Sequence, residues 1–175
     1  SEFQPLANDV VTDTINVVDL PELTVAKSVT IISDPVNGTT GAKPIPGSEL
    51  SYVVAITNQG IGTVDANALL ITDPIPAGSC MVVADIAGPG SGPVEFQDGT
   101  PSSNLAYSFI SLGSSIDDLD FSNDGGLSFD YSPSAGTCGC DPAVTDIRIN
   151  PTGSFAADAG SGSPNAQFSF HIIIE

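Results

Sequence analysis

The chain has 175 residues, 41% of them hydrophobic, with 18 Gly and 14 Pro. That suits one domain burying about two-thirds of its unfolded surface, and it excludes both a disordered and a low-complexity segment. Three basic residues, Lys27, Lys43 and Arg148, stand against 21 acidic ones for a formal charge of −18. This argues against nucleic acid and anionic membranes, whose binding draws on counterion release at a basic patch.

In chain order, residues 4–22, QPLANDVVTDTINVVDLPE, come first as a β-prone extension whose run from Val10 to Leu20 closes at Pro21. Val11, Ile15 and Val17 share one face with Asp13, while Val10, Val18 and Leu20 occupy the other, so both sets are candidate anchors. Such a segment pairs either with its own sheet or with an exposed edge on another copy, and a head-to-tail contact of the second kind generates an open filament. A small sandwich without catalytic groups gains its use from multiplicity, so the expectation here is the second. The expected organisation is an extension over 1–22 and one sandwich domain over 23–175.

From Leu23 onward, short strands alternate with turn residues. Leu50, Tyr52, Val54 and Ile56 mark the apolar face of a strand, and Asn58-Gln59-Gly60 and the run from Asp73 to Gly78 supply turns, because Gly accepts positive φ and Pro cannot donate to a ladder. Further strands are predicted over 81–86, 105–110, 127–131, 144–149 and 168–174. In the last, Phe168, Phe170, Ile172 and Ile174 face the core, with Ser169 and His171 opposite. No amphipathic helical run appears, so the strands bury their faces on a second sheet, and the prediction is an all-β, immunoglobulin-like antiparallel sandwich. The longest aliphatic runs, such as 172–174, are too short to insert in a membrane.

Candidate sites are few. Cys80, Cys138 and Cys140 make an odd count, predicting one disulfide from Cys80 to Cys138 or Cys140 and one remaining thiol; the single residue between Cys138 and Cys140 suits a zinc site poorly. The acidic run 117–126 suggests calcium ligands at Asp118, Asp120 and Asp124, but counting from Asp118 puts Asn123 where a calcium loop needs Gly, and counting from Asp120 puts Tyr131 where it needs Glu. A solvated turn that packs Phe121 inward is the competing reading. The only histidine, His171, lies on a strand face opposite the core aromatics and provides no oriented base for a nucleophile. No enzymatic activity and no obligatory cofactor are expected. Tyr52 and Tyr107 are assigned to core packing rather than to a sugar platform.

The segments LTVAKSVTIISDPVNGTT, KPIPGSELSYVVAITNQGIGTVDA, ITDPIPAG, FSNDGGLSFDYSP and DPAVTDIRINPTGSF together resemble the bacterial and archaeal surface-protein repeat called domain of unknown function eleven. The resemblance runs from Leu23 to the end and implies an immunoglobulin-like module of secreted or cell-surface proteins, without a shared enzymatic activity. A single copy and the Thr137-Cys138-Gly139-Cys140 insertion depart from that pattern. The resulting expectation is a secreted subunit of a pilus-like homopolymer joined by its extension, with a monomeric adhesin module as the alternative.

Overall fold

The computed structural model describes residues 18–175, so the sites expected at Val10, Val11, Ile15 and Val17 lie outside the described residues. Within them the fold is all-β, as the alternation requires. Its strands are β1 (Leu23–Ser33), β2 (Glu49–Asn58), β3 (Ile71–Pro74), β4 (Ser79–Val82), β5 (Val94–Asp98), β6 (Leu105–Ala106), β7 (Leu119–Ser122), β8 (Cys140–Asp141), β9 (Asp146–Ile149), β10 (Thr152–Gly153) and β11 (Asn165–Ile174).

One antiparallel sheet runs β1-β2-β11-β4-β8, with β5 also beside β11; a second runs β3-β9-β7, and β6 and β10 form a small pair. The two larger sheets share one core. Leu50, Val54 and Ile56 of β2 and Phe168, Phe170 and Ile172 of β11 meet Ile71 of β3, Leu119 and Phe121 of β7, and Ile147 and Ile149 of β9. Pairing fixes the aromatic contacts: Phe170 opposes Tyr52 with ring centroids 5.5 Å apart, and Phe168 opposes Phe96 at 5.2 Å. Such pairs contribute about 0.5–1.5 kcal/mol each beyond the area they bury. Tyr107 meets Phe168 edge-on at 6.2 Å, a core position as expected.

Several strands differ from the sequence reading. The strand expected over 81–86 spans 79–82, because the Asp85 carboxylate turns the chain by accepting the Gly90 and Gly92 N–H groups. That over 105–110 keeps only two residues, and that over 144–149 begins at Asp146. No ladder forms over 127–131: Asp124 accepts the Leu127 and Ser128 N–H groups, Leu127 is exposed, and Phe129 lies under the Arg148 guanidinium at 4.5 Å. Tyr131 keeps one isolated bridge to Phe121 and donates its hydroxyl to Asp141 at 2.9 Å.

Candidate functional site

The site with the most to explain is the sandwich edge made by β1 and β3. Antiparallel register places Leu23, Val25, Lys27, Val29 and Ile31 on the same face as Ile56, Val54, Tyr52 and Leu50, which is the face turned toward the second sheet. Yet Val25 is 65% and Val29 49% exposed. The second sheet stops at β3, so nothing among the described residues covers this end of β1. Between the two edges lies a groove of about 430 Å³, with Leu23, Val25, Val54 and Ile56 on one wall and Leu69 and Ile71 on the other. Lys27 crosses it to form an ion pair with the buried Asp73 of β3, its ammonium 4.7 Å from the Tyr52 ring centroid. The groove is therefore largely apolar, with the Lys27–Asp73 ion pair on its lining. Neither β1 nor β3 has a second strand partner among the described residues.

Upstream of β1 the chain continues in line with the ladder. Glu22 accepts the Gln59 N–H at 2.8 Å and Leu20 accepts the Gly62 N–H at 3.1 Å, two contacts that prolong the pairing beyond Leu23–Asn58. Glycine is required here: a Cβ on Gly60 would collide with the Glu22 backbone, and one on Gly62 with that of Asp19. Val18 and Leu20 keep their side chains in solvent, at 71% and 68% exposure, so these two candidate anchors contribute nothing to their own domain's core.

The fully buried Asn58 ties this junction together. Its Oδ1 accepts the N–H groups of Glu22 and Gly60, both at 3.0 Å, while Nδ2 donates to the carbonyls of Gly62 and Ala156 at 2.8 and 2.9 Å. No smaller side chain satisfies all four groups. Asn58→Ala is expected to cost about 2–3 kcal/mol, because buried backbone groups are left without partners; chemical denaturation of the two chains measures it.

The acidic run does not gather into a cation site. Asp118 accepts the Ser108 N–H and hydroxyl, Asp120 accepts Arg148 Nε and Nη2 at 3.1 and 2.9 Å, and Asp124 accepts Ser122, Leu127 and Ser128. The three carboxylates expected to share calcium thus serve three separate donor sets. Among the described residues, the only convergent group of three or more His, Cys, Asp or Glu is the cysteine cluster. Strand register is the reason: Leu119 and Phe121 point into the core, so Asp118 and Asp120 are spent along β7, and Asp124 closes the turn after it. His171 lies opposite the core as expected, its Nδ1 2.9 Å from Glu49 Oε1.

These donor sets make an acid-sensitive fold. The Ser128 N–H, followed by the Ser122 and Ser128 hydroxyls, lowers the Asp124 carboxyl from 3.8 to about 2, and the Asn37 N–H, followed by its side-chain amide, holds Asp34 below the usual range. A carboxyl depressed in the folded chain contributes stability above its unfolded value, near 4, and loses it as pH falls through its folded value. The Tm difference between the parent and Asp124→Asn is therefore expected to be constant above pH 5 and to close between about pH 4 and 2, as a pH series of melts would record.

The cysteines form a second, smaller cluster. Cys80 and Cys140 are buried beside Val82, with Ile86 and Ile173 against them, while Cys138 is exposed. The Cys140 sulfur lies within bonding reach of both others, with Cα separations of 5.6 Å to Cys80 and 5.3 Å to Cys138. A sulfur makes one disulfide at a time, so the arrangement holds one bond at Cys140 and one thiol. Of the two pairings expected from sequence, Cys80–Cys140 is accommodated and Cys80–Cys138 is not formed; Cys138 approaches Cys140 instead, a pairing the sequence reading did not anticipate.

No family model, curated protein or solved structure matches this chain. The functional reading therefore stands on the geometry alone. Sequence reasoning singled out the cysteines but missed the groove and Lys27 within it. The available signal was the alternation of Leu23, Val25, Lys27 and Val29 with Thr24, Ala26, Ser28 and Thr30, which marks one face for burial with a cation at its centre.

Proposed function

We propose that this chain is a structural subunit of an extracellular filament, assembled when the N-terminal extension of one copy is taken up as a β-strand by the next. The single observation that carries the reading is the inward face of β1, where Val25 and Val29 are exposed at a strand whose outer edge has no partner among the described residues. Long apolar edges promote association unless covered or charged. The extension upstream is patterned to cover one, with alternating anchors from Val10 to Leu20. The sandwich is immunoglobulin-like in this reading and related to the domain-of-unknown-function-eleven repeats, which fits a secreted or cell-surface location. The partner is another copy of the same chain, and the role is mechanical rather than enzymatic.

A formal charge of −18 on every subunit opposes crowding, so polymerisation is favoured by salt. Electron microscopy and size-exclusion chromatography of the intact chain at rising ionic strength test the reading. Filaments or a ladder of oligomers are expected; a monodisperse monomer at every salt concentration contradicts it.

A further inference from the structure

We infer that the groove between β1 and β3 is the acceptor site for residues 10–17 of a second copy, and that Asp13 of the incoming strand pairs with Lys27. The inference rests on the filament reading and adds to it the place, the register and the specificity of the contact.

Three observations converge. First, length: the exposed inward face of β1 spans 23–29, about 20 Å of strand, and eight extended residues reach about 26 Å. Second, geometry: the three-stranded sheet ends at β3, whose outer edge is free among the described residues, so a strand laid beside β3 would also cover Leu23, Val25 and Val29 from below. Third, charge: the face of the extension that carries Val11, Ile15 and Val17 has one polar member, Asp13. In an all-apolar groove that carboxylate would be expelled, since burying an unpaired charge is costly. This groove is apolar apart from the Lys27–Asp73 ion pair, so the one acid of the extension's face meets the one cation of the groove and shares it with Asp73. With Asp13 opposite Lys27, an antiparallel alignment sets Val11 near Val29, Ile15 near Val25 and Val17 near Leu23. The residue that disturbs the extension's apolar face then becomes the one that fixes its register.

The occupant comes from another copy rather than from the chain's own extension. Glu22 and Leu20 carry the pairing past Leu23 onto Gln59 and Gly62, so as far as Leu20 the chain runs away from the groove. Entry into its own groove requires a reversal of the chain within the few residues upstream of Leu20. A neighbour placed in that direction presents its groove without any reversal.

The test uses the full-length chain with the photo-crosslinker benzoylphenylalanine at position 15, assembled as an equal mixture of isotopically light and heavy copies and mapped by mass spectrometry. Cross-links joining light to heavy copies and landing on β1 or residues 69–72 are expected. Cross-links to the groove within one copy, cross-links landing elsewhere, or none at all overturn the inference. In parallel, Val25→Arg at its exposed position is expected to melt as the parent does while filaments are lost, and Asp13→Lys is expected to lose filaments as well. Filaments that persist in Val25→Arg remove the groove but leave the polymer standing; an unmodified chain that never polymerises removes both.

Discussion

Deleting residues 4–22 is expected to abolish polymerisation completely while leaving a folded monomer. The body gives up little by the deletion. Glu22 and Leu20 supply a few backbone hydrogen bonds at Asn58, Gln59 and Gly62, partly exposed and together contributing about 2 kcal/mol, against a typical domain stability of about 5–15 kcal/mol. The side chains of Val18 and Leu20 already lie in solvent, so no core contact goes with them. What disappears is the segment that the proposal assigns to cover β1 in trans. Near-ultraviolet circular dichroism and a thermal melt should report a native body, and electron microscopy should report no fibres. Fibres formed by the shortened chain would require an assembly contact elsewhere on the sandwich.

The second large effect belongs to the sulfur cluster. Cys80→Ser is expected to cost about 4 kcal/mol, because the Cys80–Cys140 bond closes a 60-residue loop whose freedom in the unfolded chain it removes. For a domain of this size that corresponds to a fall in Tm of roughly 10 °C. Cys138→Ser is the contrasting variant. A Cys138–Cys140 bond, across a separation of 2, restricts almost nothing in the unfolded state, so replacing the exposed Cys138 is expected to change stability by less than about 0.5 kcal/mol. Equal losses in the two variants would show that the sulfur partners are exchanged. Because Cys138 is the exposed cysteine, reducing and non-reducing gels of assembled material separate a cross-linked fibre from one held by strand pairing alone.

The legible parts of the fold were those in which polar and apolar residues alternate without competition. In β2 and β11, Leu50, Val54, Ile56, Phe168, Phe170 and Ile172 are buried as their spacing demands, and their β-branched and aromatic neighbours favour strands. β7 was hidden because Leu119 and Phe121 are interleaved with acids in the most charged run of the chain, where Asp120 is neutralised by Arg148 across the sheet, a contact of register that composition does not encode. The alternation of Leu127, Phe129 and Tyr131 misled for the opposite reason: Phe129 serves the Arg148 cation and Tyr131 serves Asp141, so the spacing reflects side-chain contacts and not a ladder. The groove between β1 and β3 was invisible in principle. It arises from where the second sheet stops, a property of strand order that only the folded chain displays. Once strand order is known, the alternation from Leu23 to Val29 marks an apolar face of β1 that the described residues leave exposed.

The most direct test is a cryo-electron microscopy reconstruction of the assembled chain that traces residues 10–17 from their own domain. The account predicts that this segment lies as a strand beside β3 of the neighbouring subunit, with Asp13 at Lys27. Density that returns the segment to the groove of its own domain, or leaves the neighbour's β1 face uncovered, would contradict it.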